Sequence, residues 1–439
     1  MKRSLFTLTC SIFSLLSFGQ SAPFSVKLEP IILKEFSGLQ SYAWARAGDN
    51  IILFGGRKEG LHKRQPFASF NKTFNNSEII MINPGTQQTI RKGLGSVPAP
   101  IAEQLQSSNM EFFQDGDYLI LIGGYGYSET KNDHITFPSM LVIQLSAMVK
   151  ALQSGSSIDE SIIQIPDERM AITGGNLGKL DDAFYLIGGQ RFTGRYNPHG
   201  PDHGPGYSQQ YSNEIRKFQL NFKNGTAAIY NYEAISDTSL FHRRDYNLVN
   251  QYDDNGNEIL SVYSGVFQST ADLPFTTLVD ISPSGYKLVP EFNQQLNHYH
   301  SAHLPLYDSI NRNQFVIFFG GIAWNYLDNN GKLNKDDNVP FVKTISVVER
   351  TRAGIKEYSL SEKMPGYFGA SASFIARDPL MFTKNGNLKW DSIGDKPSLV
   401  GYIIGGIDSR APNILWSNDP LESRASPVIW EVFISRTRR

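Results

Sequence analysis

Residues 51–60 read IILFGGRKEG, an apolar run that ends in two glycines and is followed at once by charge. The arrangement returns four times with both glycines and once, in ILSVYSGVFQ, with Ser264-Gly265 in the same place. An apolar run of this length is typical of a buried strand, and two glycines end it where the backbone must turn sharply. The other full copies are LILIGGYGYS (119–128), FYLIGGQRFT (184–193), VIFFGGIAWN (316–325) and YIIGGIDSRA (402–411).

The segments around each copy extend the pattern to four strands. An earlier strand and a polar turn precede the glycines, as in NMEFFQDGDY (109–118), and Asp-Gly is a strong hairpin signal. A third strand follows, as in EIIMINP (78–84), and in several copies a fourth, as in YKLVPEF (286–292). Six units of this kind, with almost no helical periodicity, predict an all-β protein built as a radial array of sheets.

The repeat resembles that of the kelch β-propellers. The resemblance rests on the apolar-Gly-Gly steps and on the strand entries SNEIRKF (212–218) and SPVIWEVF (426–433), and it covers nearly the whole chain. It implies a six-bladed kelch-like β-propeller. The sixth copy ends at its third strand, so the N-terminal segment FSVKLEPIIL (24–33) is expected to complete the last blade and close the ring.

The first residues have the composition of an export signal. Lys2 and Arg3 precede a short apolar run and then small residues, with cleavage expected after Gly19 or Ala22. This predicts a signal peptide over residues 1–22, a single propeller domain over 23–439, and a secreted or periplasmic protein. Cys10, the only cysteine, lies in the leader, so the mature chain would have no disulfide and no thiolate site.

Bulk composition excludes some classes of partner. The net charge is −1, so no overall field attracts nucleic acid. No apolar stretch after the leader is long enough to span a membrane, so no integral membrane segment is expected after signal cleavage. The expected partner is a glycan or another small polar ligand, and no motif identifies a cofactor.

Loops on a rigid scaffold usually carry function, so the candidate residues follow the glycine pairs or precede the first strands. Arginines can bind carboxylate or sulfate groups, and aromatic rings can stack on sugars. For each of them, an ion pair between blades or packing at the rim is an equal alternative. The ligand-binding candidates are Arg57, Tyr125, Arg191, Arg195, Tyr196, Arg243, Arg244, Gln268, His298, Trp324, Asp408 and Arg410.

Two short motifs offer acid–base chemistry. HRRDY (242–246) is expected to begin an inner strand, where His242 and Tyr246 could exchange a proton with a sugar, although a buried Arg–Asp pair is the alternative. HYHSAH (298–303) adds His300 as the third catalytic candidate. Its His298 and His300 would share a strand face and His303 would point away, so the run alone predicts no metal site.

Two loops invite interpretation. The loop over residues 191–213 is long, rich in glycine and aromatic residues, and could act as a lid in which His199 and His203 contact the ligand. A solvated insertion is the alternative. Residues 327–338 superficially resemble a calcium loop, but Lys332 stands where an oxygen ligand is needed.

Three functions remain open at the level of sequence. The leading hypothesis is an exported propeller with a ligand site on its loop face. The ligand is either a carbohydrate, acidic or neutral, or another small polar molecule. The first alternative is a glycan-acting enzyme, either a sugar epimerase or mutarotase or a polysaccharide lyase, that uses His, Tyr and Arg on that face. The second is a protein-interaction scaffold, since the fold implies none of the three by itself.

Overall fold

The structure is a computed structural model that describes residues 22–437, apart from residues 64, 66, 198–205, 224, 225, 329, 418 and 420. The leader prediction therefore falls almost wholly outside the described residues, as do His199 and His203.

The described chain is mostly β. The strands up to residue 236 are β1 (Phe24–Ile32), β2 (Ala43–Ala47), β3 (Asn50–Phe54), β4 (Glu78–Asn83), β5 (Gln88–Gly93), β6 (Glu111–Asp115), β7 (Tyr118–Ile122), β8 (Tyr125–Ser128), β9 (Asp133–Thr136), β10 (Ser139–Gln144), β11 (Ile162–Pro166), β12 (Asn176–Leu180), β13 (Ala183–Ile187), β14 (Gln190–Thr193), β15 (Ser208–Tyr211), β16 (Glu214–Lys223) and β17 (Thr226–Ser236).

The remaining strands are β18 (Asn247–Tyr252), β19 (Glu258–Tyr263), β20 (Thr277–Ser282), β21 (Gly285–Asn293), β22 (His303–Asp308), β23 (Asn313–Ile322), β24 (Asn325–Leu327), β25 (Leu333–Lys335), β26 (Phe341–Thr351), β27 (Gly354–Lys363), β28 (Ala372–Ala376), β29 (Leu388–Lys389), β30 (Ser398–Gly405), β31 (Ile407–Ser409), β32 (Ser423–Ala425) and β33 (Val428–Arg436). The α-helices are α1 (Ala99–Leu105), α2 (Leu145–Ser154) and α3 (Thr238–Phe241), and single 3₁₀ turns lie at Lys72–Phe74, Asp159–Ser161, Glu168–Met170, Pro379–Met381 and Trp390–Ser392.

Six antiparallel sheets, one for each copy of the repeat, make up the body of the molecule. In the order of their strands they are sheet 1 (β2-β3-β4-β5), sheet 2 (β6-β7-β10-β11), sheet 3 (β12-β13-β16-β17), sheet 4 (β18-β19-β20-β21), sheet 5 (β22-β23-β26-β27) and sheet 6 (β28-β30-β33-β1). Sheet 5 carries β29 as an additional short parallel strand beside β22. The N-terminal strand completes the last sheet, since β1 pairs with β33 from Phe24–Arg436 to Ile32–Val428.

The apolar runs are long because each second strand is buried on both faces. In β3, Ile52 and Phe54 pack against sheet 2, while Ile51 and Leu53 pack against sheet 6. Alternate side chains point to opposite faces of a strand, so one run serves two interfaces. Further apolar clusters join sheets 2 and 3, 3 and 4, 4 and 5, and 5 and 6, so the succession of contacts returns to sheet 1.

The glycine pairs fit this packing. A Cβ on Gly405 would lie 2.1 Å from the carbonyl oxygen of Leu39, at the entry to sheet 1, and the φ of Gly405 is +62°. The next residue, Gly406, donates its N–H to the same oxygen at 2.9 Å. Gly56, Gly124, Gly189 and Gly321 make the same bond to the entry of the sheet that follows each of them. The glycines therefore connect neighbouring sheets, and no side chain would fit there.

The fourth copy reaches the same result with a serine. Ser264 has a φ of 53° and donates its hydroxyl to the carbonyl oxygen of Asn297 at 2.9 Å, at the entry to sheet 5. A polar side chain replaces the backbone contact that a glycine pair makes elsewhere. This is the one junction at which the repeat departs from its rule, and it lies beside the candidate site described below.

Two features of the structure differ from the sequence expectations. The ten-residue helix α2 stands between the third and fourth strands of sheet 2. The loops that follow the glycine pairs of sheets 2 and 3 form a further four-stranded sheet, β8-β9-β14-β15. These loops therefore pair with one another through backbone hydrogen bonds.

Candidate functional site

A cavity of about 900 Å³ is lined by the first strands of all six sheets, and we call it the channel. Six lining residues close one end of the channel, and each of them lies just before the first strand of a different sheet. We call these six residues the floor ring. At the other end the lining includes the hairpin turns that leave the first strands, such as Asp115-Gly116. The floor ring consists of Ser41, Asn109, Gly174, Asp245, His300 and Ser371.

The floor ring is held by its backbone. All six residues have a left-handed conformation, with φ between 47° and 72°. Five of the six junctions carry a hydrogen bond from the N–H of one residue to the carbonyl oxygen of its neighbour, at 2.7–3.3 Å. These bonds run from Asn109 to Ser41, Gly174 to Asn109, Asp245 to Gly174, Ser371 to His300 and Ser41 to Ser371. The last of them joins the sixth sheet to the first.

The sixth junction, between Asp245 and His300, is built from side chains. Nδ1 of His300 lies 3.7 Å from Oδ1 of Asp245 and 3.3 Å from the hydroxyl of Ser371. Both contacts are made by the same ring nitrogen, so Nε2 of His300 is engaged by neither. The regular backbone link is thus replaced at one place by a carboxylate, an imidazole and a hydroxyl.

Arg244 flanks this junction on the side away from the channel. Its Nη1 lies 3.6 Å from Oδ2 of Asp245, and its guanidinium lies over the ring of Phe267 at 5.0 Å. Burial alone would lower the pKa of Arg244. The charge of Asp245, the nearby tyrosines and a hydrogen bond to Tyr211 outweigh burial, so the pKa of Arg244 is raised. Asp245 is therefore positioned between a permanent cation and His300.

The channel wall has an aromatic side and a polar side. Sheets 6, 1 and 2, which are neighbours, contribute Phe374, Trp44 and Phe112, and the last two meet edge to face at 5.9 Å. The neighbouring sheets 3, 4 and 5 contribute polar groups to the opposite side. These are Asn176, Lys179, Asn250 and His303, besides Asp245 and His300 of the floor ring.

The charge of the lining is predominantly negative. It contains five carboxylates and two lysines, and one of the lysines, Lys179, is paired with Asp115 at 2.5 Å. The carboxylates are Asp115, Asp181, Asp182, Asp245 and Glu258, and the second lysine is Lys384.

The residues expected to bind ligand on the loop face are mostly committed to packing between loops. Arg57 is 3% exposed, pairs with Glu59 and donates to Oδ1 of Asn75 at 2.7 Å. Tyr125 is 5% exposed and donates its hydroxyl to Gly194, and the same hydroxyl accepts the N–H of Tyr196. The ion-pair and packing alternative therefore describes Arg57 and Tyr125 better than ligand contact does.

The HRRDY motif does not form a strand as expected. His242 caps the C-terminus of helix α3, and β18 begins only at Asn247. Arg243 is fully buried over Phe275 and donates to the carbonyl oxygen of Ser264 and the hydroxyl of Thr277, and burial lowers its pKa. Tyr246 borders the channel, but its side chain is 3% exposed and its hydroxyl donates to Ile187 at 2.7 Å. Burial also raises the pKa of Tyr246.

His242 lies apart from the channel. Its ring stacks on Tyr211 at 3.9 Å and its Nδ1 is 2.9 Å from Oδ1 of Asn213. Tyr211 in turn contacts Arg244, so His242 reaches the floor ring only through two other side chains.

The histidines of HYHSAH separate in space. His300 belongs to the floor ring and His303 lines the channel, whereas His298 is fully buried away from it. Burial lowers the pKa of His298 to about 3, which keeps it neutral. Among the residues that the structure describes, no three His, Cys, Asp or Glu side chains are placed to hold a metal ion.

The other predicted ligand residues of the loop face are engaged with neighbouring residues. Each has a local partner: Arg191 pairs with Glu168, Arg195 donates to Phe67 O, Gln268 to Pro274 O, and Trp324 to Asp337, while Asp408 pairs with Arg424 and the backbone N–H of Arg410 donates to Glu422 O.

Sequence reasoning missed the aromatic side of the channel. Trp44 and Phe112 occupy alternate positions of first strands that the repeat had already located, next to buried residues such as Ala43 and Glu111. The period of two along these strands would have identified them.

No protein-family model and no curated protein matches the sequence. Within the described part of the chain, no helix is both long and apolar enough to cross a membrane.

Proposed function

We propose that this chain is a six-bladed propeller of the kelch type that binds a carbohydrate in its channel. The ring arrangement is supported by the cyclic order of the contacts. Each glycine pair, or its serine equivalent, bonds to the entry of the next sheet, and the last bonds to the entry of the first. The first strands then surround one central space, as the blades of a propeller do.

The single observation that carries the ligand class is the division of the channel wall into two sides. A sugar ring has an apolar face of C–H groups and a periphery of hydroxyls. The aromatic side, with Trp44 and Phe112, suits the first, and the polar side, with Asn250, Asp245 and His300, suits the second. Pockets for small ligands combine apolar walls with a few placed polar groups in this way.

The charge of the channel selects among carbohydrates. An acidic sugar would meet five carboxylates and only two lysines, so like-charge repulsion disfavours it. We therefore assign a neutral or amino sugar to the channel and not the acidic glycan that the arginines of the loop face had pointed to. The proposed binding site is therefore the space between the first strands and not the loop face.

The test is calorimetric titration of the purified protein with neutral, amino and acidic oligosaccharides. Trp44→Ala is expected to weaken binding about tenfold or more, because the stacking surface is lost. Trp416→Ala is the matched control, since Trp416 is 59% exposed and does not line the channel. Equal losses in the two variants, or preferential binding of acidic sugars, would contradict the proposal.

A second candidate function is an enzyme that acts on the bound sugar. The observation that favours it is the free Nε2 of His300, whose Nδ1 faces Asp245 and Ser371. An imidazole nitrogen that faces the bound sugar is placed where a general base would have to be. Because both contacts use Nδ1, they do not form a relay that would activate the Ser371 hydroxyl. Nuclear magnetic resonance of the incubated glycan would detect turnover, and His300→Gln should then abolish turnover while binding persists.

We also propose export of the mature chain on the basis of the leader. N-terminal sequencing of the protein from the extracellular or periplasmic fraction should begin at Gln20 or Pro23. An N-terminus at Met1 in the cytoplasmic fraction would contradict it.

A further inference from the structure

We infer that the channel takes the end of a glycan chain and cannot pass an internal segment through. The inference rests on the proposed function, because it concerns how a carbohydrate would enter the same site.

The channel is blind at the floor ring. Its lining includes all six residues of that ring and nothing from the loops beyond it, such as Tyr125, Tyr196 or Arg244. Residues joined by backbone hydrogen bonds have Cα atoms about 5 Å apart, which holds at five of the six junctions. The sixth is spanned by the side chains of Asp245 and His300, so the ring is roughly 10 Å across between Cα atoms. Backbone and side-chain atoms occupy most of that width, which leaves no passage for a sugar ring.

A second layer covers the far side of the floor. There, aromatic side chains from the loops of sheets 1, 2 and 3 pack together. Phe70 meets Tyr125 at 5.2 Å, Tyr125 meets Phe192 at 5.3 Å, and Phe192 meets Tyr196 at 5.6 Å. The extra sheet β8-β9-β14-β15 belongs to the same loops.

The polar groups are distributed as end-on binding requires. The floor presents Ser41, Asp245, His300 and Ser371, whereas Trp44 and Phe112 stand in the wall above it. A terminal sugar has one more free hydroxyl than an internal sugar, because it lacks one glycosidic bond. That extra hydroxyl would meet the floor, and the following sugars would stack on the wall.

The chain would leave through the opposite, open end. This end is bordered by the hairpin turns of the first strands, among them Asp115-Gly116 and Asp181-Asp182, and by Lys384 to Gly386. These side chains are mostly exposed, so the mouth is wide and hydrated. Length beyond the mouth would add little to affinity.

The experiment asks whether competition for the channel depends on the number of glycan chain ends or on the total mass of glycan. Maltohexaose, cellohexaose and chitohexaose are titrated first, and the one that binds is then displaced by its own longer polymer and by a cyclic oligomer of the same sugar, which has no ends. At equal mass, a polymer about ten times shorter should compete about ten times better, because it carries more ends, and the cyclic oligomer should not compete.

Each outcome is decisive. Competition in proportion to mass, or by the cyclic oligomer, would overturn end-on binding while the proposed carbohydrate site stands. Failure of all three hexamers to bind would contradict the proposed function and this inference with it. His300→Ala should reduce affinity for the hexamer, and an unchanged affinity would remove the floor from the binding site.

Discussion

At the scale of single residues, the junctions between first strands depend on buried side chains that accept hydrogen bonds from the next sheet. Glu111 is 1% exposed, and its Oε1 accepts the N–H of Gly175 at 2.7 Å. Asn247 performs the same task two junctions further on, where its Oδ1 accepts the N–H of Ser301 at 3.0 Å. The second oxygen of Glu111 has no partner among the described residues. A buried acid in this position is costly when it is charged.

Glu111→Gln should therefore change how stability depends on pH. Burial raises the pKa of Glu111 to about 8 from its ordinary 4.5. Between pH 4.5 and 8 Glu111 is protonated in the folded state and ionised in the unfolded state. The contribution of Glu111 to the free energy of unfolding is therefore most favourable below pH 4.5 and is lost as pH rises through 8. Glutamine keeps the acceptor and never ionises. It should reduce the loss of stability between pH 5 and 8.5 by on the order of 2 kcal/mol.

Urea unfolding at several pH values measures this effect. Glu357→Gln is the matched comparison, because burial raises the pKa of Glu357 to about 8 as well and its Oε2 accepts the N–H of Leu296. The double variant should show the flattest profile. A wild-type pH slope in Glu111→Gln would show that Glu111 is already ionised in the folded protein.

At the scale of elements, the strand–glycine–glycine unit is both the folding repeat and the connector between sheets. The unit could be located from the sequence because its apolar run is buried on two faces and its glycines occupy positive φ. The third strands and the fourth strand at 285–293 were recognisable from local alternation and from turn residues. The pairing of the N-terminal segment was expected because the sixth copy lacks a fourth strand.

The site was harder to predict than the strands. Arg57 and Arg243 look like ligand residues in the sequence, and only the packing of neighbouring loops and sheets shows that each is buried with partners of its own. Helix α2 and the extra sheet of the loops carry no repeat signal. Burial depends on contacts between residues far apart in the chain, and a single sequence does not display them.

Two glycines with nearly the same backbone separate conformation from crowding. Gly405 and Gly116 have φ values of +62° and +60°, but a Cβ on Gly405 would lie 2.1 Å from Leu39 O, whereas one on Gly116 would meet nothing within 4 Å. Gly116→Ala should cost about 1–2 kcal/mol, the usual cost of a left-handed alanine. Gly405→Ala should cost at least about 2 kcal/mol more, because sheets 6 and 1 must separate. Equal losses in thermal or urea unfolding would mean that the glycine pair does not connect the sheets.

At the scale of the whole molecule, the two ends of the described chain meet in one sheet. The hydroxyl oxygens of Ser25 and Ser435 lie 2.8 Å apart although 410 positions separate them in the sequence. With the bonds of Ser41 to Ser371 and of Gly406 to Leu39, this pairing joins the last sheet to the first. Opening it would expose the edge of sheet 6 and the apolar cluster beneath it.

A disulfide at this pair tests the closure. Ser25→Cys/Ser435→Cys, combined with Cys10→Ser so that no other cysteine is present, should oxidise readily because the two side chains already touch. The oxidised form should resist unfolding more than the reduced form, by up to about 4–5 kcal/mol for so long a loop. Ser25→Cys alone is the control. Failure of the double variant to form an intramolecular disulfide would contradict the pairing of the two ends.

The most direct measurement of the central claim is a crystal structure of the protein with the oligosaccharide that binds most tightly in the titration. We expect a sugar ring against Trp44 and Phe112 and a terminal sugar within hydrogen-bond distance of His300 or Asp245. The remaining sugars should be directed towards the hairpin turns. A ligand seated on the loop face, beside Arg195 and Tyr196 and outside the channel, would contradict it.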